Sequence, residues 1–107
     1  MARALVTMPL TARRGQVIEV RALVSHPMET GFRPGADGKV LARDIIRRFT
    51  CNYNHELVFA ADLHPAIAAN PYMAFFLVAG ESGVLEFRWV GDNGFVHTET
   101  RVLAVEP

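Results

Sequence analysis

The chain of 107 residues holds one cysteine, Cys51, one lysine, Lys39, and one tryptophan, Trp89. A single cysteine excludes an intramolecular disulfide and any metal site built on paired thiolates. Acidic and basic residues balance at eleven each, so the chain has no electrostatic footprint for nucleic acid or for an anionic membrane surface. No apolar run approaches the ~18 residues of a membrane span. The start of the chain shows no secretory h-region. Arg13-Arg14 leads into a stretch too short and too charged for a twin-arginine signal. On these grounds the expectation is a cytoplasmic protein, or one exported with the help of another. Common enzyme motifs are missing too: there is no Gly-x-Ser-x-Gly, no phosphate loop and no His-Glu-x-x-His. No segment carries a sustained helical stripe.

What is present is alternation. Half of the residues are hydrophobic, which argues against disorder, and one domain over residues 1–107 can bury roughly two-thirds of its unfolded surface. Ile18, Val20, Ala22 and Val24 fall on one face of an extended run, with Glu19, Arg21 and Ser25 on the other. This period of two marks a half-buried strand. Leu85, Phe87 and Trp89 alternate with Glu86 and Arg88 in the same way. After the turn signal Gly91-Asp92-Asn93-Gly94, a β-branched face of Val96, Thr98, Thr100 and Val102 backs a polar one of His97, Glu99 and Arg101. These two segments are expected to form a hairpin. Further strands are predicted over residues 2–8, 44–53, 57–61 and 72–78. About seven short strands in a chain of this length point to an all-β fold, an immunoglobulin-like antiparallel β-sandwich.

Two loops stand out. Residues 27–39, with Gly31, Pro34, Gly35 and Gly38, are long for a compact domain, which marks a functional or mobile loop. Residues 62–72 bracket an alanine-rich segment with Pro65 and Pro71. Each proline removes an N–H and biases its predecessor to extended geometry, so neither a long helix nor a central strand runs through. This segment is predicted to be a shaped crossover between strands.

Candidate chemistry is sparse. On alternation Cys51 shares a face with Ile45, Arg47, Phe49 and Tyr53, and a buried, inert thiol is expected, since free cysteine behaves as a small hydrophobe. A reactive thiolate needs an accessible, electropositive niche. A small redox protein or enzyme using Cys51 and a nearby histidine is the alternative function, and a self-associating β-sandwich module is another. His26, His55, His64 and His97 show no ligand spacing to one another, so no metal and no cofactor are expected. The run Phe75-Phe76-Leu77-Val78, beside Tyr72 and Met73, has no polar face. Either its own domain covers both sides, or a partner sheet covers one.

Four segments resemble the SoxZ family: RALVSHPMETG at 21–31, IIRRFTCNYN at 45–54, ADLHPAIAANPY at 61–72 and ESGVLEF at 81–87. They span nearly the whole chain in the same order. SoxZ is the small subunit of the SoxYZ carrier of bacterial thiosulfate oxidation. The resemblance implies an immunoglobulin-like sandwich that pairs with SoxY as a non-catalytic subunit of a heterodimer. In the family, a cysteine in a glycine-rich C-terminal arm of SoxY carries the sulfur. It also implies transient docking of other Sox enzymes, and a periplasmic location reached by export with SoxY. Agreeing with this, Cys51 sits in a predicted strand, and the final residues Leu103 to Pro107 hold neither Gly nor Cys, so this chain is not expected to be the carrying arm. Expected partner contacts are Tyr72, Phe75, Phe76, His64 and Met28, from the apolar strand, the crossover and the 27–39 loop. In isolation the chain is expected to form a homodimer.

Overall fold

A computed structural model describes residues 3–107. Eight strands follow one another: β1 (Ala4–Thr7), β2 (Thr11–Arg13), β3 (Val17–Val24), β4 (Ile46–Tyr53), β5 (Glu56–Asp62), β6 (Tyr72–Val78), β7 (Gly83–Gly91) and β8 (Val96–Glu106). They form a three-stranded sheet in the order β1-β3-β6 and a five-stranded sheet in the order β2-β8-β7-β4-β5. This is the expected all-β sandwich, with eight strands in place of seven. Ala2, the first residue of the strand predicted over residues 2–8, lies outside the described residues.

The added strand is β2. It is three residues long and runs parallel to β8, with Thr11 opposite Ala104 and Arg13 opposite Glu106. Every other strand pair is antiparallel. Three residues are too few to show alternation, and Pro9 masks the strand from sequence by breaking the preceding one. That break moves the chain from one sheet to the other.

Turn chemistry fixes the hairpins. Asn54 and His55 take φ of 50° and 68° between β4 and β5, the left-handed pair that a two-residue hairpin requires. The expected β7–β8 hairpin forms around a short 3₁₀ turn, Asp92–Gly94, with Val84 opposite Val102 and Val90 opposite Val96. Gly91 is required by a close approach: a Cβ there would lie 2.5 Å from the Ile45 carbonyl oxygen. The crossover between β5 and β6 carries the chain from the wide sheet to the narrow one. Its end is fastened by a reciprocal pair, His26 N–H to Asn70 Oδ1 at 2.9 Å and Asn70 N–H to the His26 carbonyl at 2.7 Å.

The core lies between the sheets. Ile18, Val20, Ala22 and Val24 of β3 and Phe75 and Leu77 of β6 face Phe49 and Cys51 of β4, Leu85, Phe87 and Trp89 of β7, and Leu103 of β8. An aromatic chain links the layers. Phe59 stacks on Phe75 at 4.2 Å, Phe75 meets Phe49 at 6.2 Å, and Phe49 meets Trp89 at 5.0 Å. A narrow sheet over a wide one leaves the flanks of the wide sheet thinly covered. On β8 the half-buried inner positions are His97, Glu99 and Arg101, while Val96 and Val102 point outward. Glu99 accepts from His97 Nε2 at 2.9 Å and pairs with Arg101 at 3.4 Å.

Candidate docking face

The period of two that buries one side of β3 and β6 exposes the other. Ile18, Val20, Ala22 and Val24 point inward, so Val17, Glu19, Arg21 and Leu23 point outward. Met73, Phe75 and Leu77 face the core side of β6, so Tyr72, Phe76 and Val78 face out. Register aligns these residues across the sheet. Leu5, Leu23 and Tyr72 form one row, Glu19 lies opposite Phe76, and Val17 lies opposite Val78. Phe76 is 66% exposed, Tyr72 58% and Val17 60%. Single exposed apolar residues are ordinary, but a contiguous apolar sheet face marks an interaction surface.

Charge on this face is sparse and nearly self-cancelling. Arg21 Nε and Glu19 Oε1 pair at 2.7 Å, and Glu19 holds the Arg21 guanidinium pKa above its ordinary value. Of the two alternatives the sequence left open for the residue 72–78 strand, the outer face is apolar and, among the described residues, nothing of this chain covers it. Its rows extend to Leu5, Val17, Leu23 and Val78, which were not among the expected contacts. The signal for Val17 and Leu23 was the alternation of β3 itself, since naming its inner face also names its outer one.

The expected contact residues separate. Tyr72 and Phe76 lie on the face, and His64 is exposed in the crossover. Phe75 is 6% exposed and stacks on Phe59, so it belongs to the core and does not line the surface. Met28, 4% exposed, is also internal. Its N–H donates to His26 Nδ1 at 3.0 Å, and its sulfur accepts the Ile46 N–H at 3.2 Å. The 27–39 loop is partly folded back, through bridges between Glu29 and Asp44 and between Pro34 and Val40. It exposes Phe32, and Val40 just beyond it is exposed as well.

Cys51 is fully buried, and desolvation pushes its thiol pKa up to about 12. It therefore stays protonated near neutral pH, without the niche that a nucleophilic thiolate requires. Arg47 does not share its face. A bulge between Ile46 and Arg48 breaks the alternation, buries both Ile45 and Ile46, and turns Arg47 outward toward Asp92 at 3.3 Å. Asp92 also takes a two-pronged contact from Arg43, at 2.9 and 3.0 Å, and the N–H of Ile45. These contacts hold its carboxyl below the ordinary range, the Arg43 hydrogen bond contributing most. Among the described residues no group of three or more His, Cys, Asp or Glu gathers as a metal site.

Comparison with known proteins bears on both fold and family. A superoxide reductase (neelaredoxin) from Ignicoccus hospitalis is similar, with a TM-score of 0.73 at 18% identity, covering 96% of this chain and 80% of that one. The sulfur carrier protein SoxY from Chlorobium limicola f thiosulfatophilum gives a TM-score of 0.68 at 14% identity, covering 97% and 79%. At these identities the likeness shows a shared sandwich fold alone. No curated protein matches the chain. The family model described as sulphur oxidation protein SoxZ matches residues 6–102. With nearly its whole length matched, and the four segments noted in the sequence within or overlapping that span, the chain belongs to the SoxZ family of sulphur oxidation proteins.

Proposed function

We propose that this chain is the binding, non-catalytic subunit of a sulfur-carrier heterodimer, and that it holds SoxY through the outer face of its three-stranded sheet. The observation that carries the reading is that face. A SoxZ-family chain leaves Tyr72, Phe76, Val17, Val78, Leu5 and Leu23 exposed on one sheet face, around the self-paired Glu19 and Arg21. Aromatic anchors of this kind dominate the energy of protein interfaces. The sole cysteine is deep in the core, which supports assigning the sulfur-bearing thiol to the partner. In this reading the chain steadies SoxY and presents its thiol arm, while the 27–39 loop and the crossover around His64 offer transient contacts to other Sox enzymes. The pair works in the periplasm, reached by export on SoxY. Without SoxY, the same face buries itself against a second copy.

Co-expression with SoxY followed by affinity purification tests the pairing. The wild-type chain is expected to retain SoxY stoichiometrically. Phe76→Asp is expected to weaken pairing by ~2 kcal/mol or more, about thirtyfold, while circular dichroism shows an unchanged β spectrum. Retention of SoxY at wild-type affinity by a folded Phe76→Asp chain would sink the reading. Turnover of thiosulfate by the isolated chain, lost in Cys51→Ala, would sink the non-catalytic assignment. Cell fractionation with and without SoxY checks the location.

A further inference from the structure

A depression of about 280 Å³ indents one end of the docking face, where β1, β3 and the crossover meet. Arg3, Ala4, Leu5, Leu23, Ser25 and Asn70 line it. Strand parity places Arg3 with Leu5 and Ser25 with Leu23 on the outer side, and the Ser25 N–H fixes their approach by donating to the Arg3 carbonyl at 2.7 Å. Asn70 is held in turn, because its Oδ1 accepts from His26 N–H. That leaves its Nδ2 group as a donor.

The polar groups here share one character. Arg3 has no carboxylate within ion-pair distance among the described residues, and neither the Ser25 hydroxyl nor Asn70 Nδ2 has a hydrogen-bond partner among them. A cation and two further donors thus stand around aliphatic walls, with no acid among the lining residues. An apolar hollow with a few convergent donors is complementary to a group that is part hydrocarbon and part carboxylate. A free inorganic anion would leave the Leu5 and Leu23 walls unused.

We propose that this hollow is an anchor socket for the partner subunit, receiving an apolar side chain with an adjacent Asp or Glu whose carboxylate meets Arg3, Ser25 and Asn70. The assignment rests on the pairing reading above. It adds the chemistry of one contact: the partner's surface opposite this end is acidic beside an aliphatic or aromatic anchor. Because Arg3 sits at the rim, its share is expected in association rate and salt dependence more than in bare affinity.

Titration calorimetry with purified SoxY, at about 50 and about 300 mM salt, tests it. The wild-type chain is expected to bind. Arg3→Ala is expected to weaken binding about fivefold at low salt and Arg3→Glu about twentyfold, with both differences shrinking at high salt. Arg3→Lys is expected to restore most of the loss, and Leu23→Ser to weaken binding at both salts. Unaltered thermal melting of the Arg3 variants separates this from misfolding. If the wild type binds and Arg3→Glu binds within twofold of it, the socket is wrong and the pairing stands. If the wild type does not bind, the pairing fails and the socket with it. If sulfate alone shifts the Ser25 and Asn70 amide resonances while the Arg3 variants bind SoxY normally, the hollow is a free-anion site and the proposal is overturned.

Discussion

Phe75 and Phe76 show how far one residue of parity reaches. Phe75 stacks on Phe59 at 4.2 Å inside the sandwich, while Phe76 stands in solvent opposite Glu19. Phe75→Ala is expected to cost ~3–5 kcal/mol in urea unfolding, as large-to-small core changes do. Phe76→Ala is expected to stay within ~0.5 kcal/mol, as for surface positions away from caps and networks, and to lose affinity for the partner instead. Cys51 makes a second residue-scale prediction. Its buried thiol is expected to ignore Ellman's reagent in the native state and to react as one thiol per chain after denaturation. Rapid native labelling would contradict this. The burial of Cys51 was legible from its alternation with Phe49. The burial of Met28 was not, because it depends on distant Ile46, whose N–H points to the Met28 sulfur, and on the adjacent His26 ring. A loop rich in Gly and Pro gives no local sign of either contact.

Elements carry the irregularities that alternation cannot foresee. β4 reads as an unbroken alternating strand, yet its bulge moves Arg47 out of line with Cys51 and hands it to Asp92. Asp92 thereby ties the 3₁₀ turn to Arg43, Arg47 and the start of β4. Its folded pKa is lowered from 3.8. A depressed carboxylate contributes stability that is present above its unfolded pKa and is lost as pH falls through the folded value. The melting temperature is therefore expected to drop on acidification from about pH 4 downward. Asp92→Asn is expected to melt lower at neutral pH and to show a flatter acid limb. An Asp92→Asn profile parallel to wild type would refute this linkage. Gly91→Ala is expected to disturb the same corner, because the new Cβ meets the Ile45 carbonyl. β8 adds a related lesson. Its sequence divides cleanly into a β-branched face and a charged one, but the pattern does not say which is covered, and the charged face turned inward at a flank. There Glu99, His97 and Arg101 satisfy one another.

At the scale of the whole molecule, three strands over five leave one largely apolar face without a cover among the described residues. Light scattering of the isolated chain is expected to show concentration-dependent self-association, abolished by Phe76→Asp and replaced by a one-to-one complex when SoxY is added. A chain that stays monomeric at high concentration, alone and with SoxY, would contradict the assigned role of this face. By itself the sequence determined seven of the eight strands, the two faces of the regular ones, most turns and the family, because these are written in alternation, in Gly, Asn and Pro, and in motifs local along the chain. Only the tertiary structure decided which faces lie inside, where β2 attaches, why Met28 and Phe75 are hidden, and which donors gather at Arg3. Burial belongs to the strand brought opposite, and pairings between strands far apart in sequence settle what that strand is.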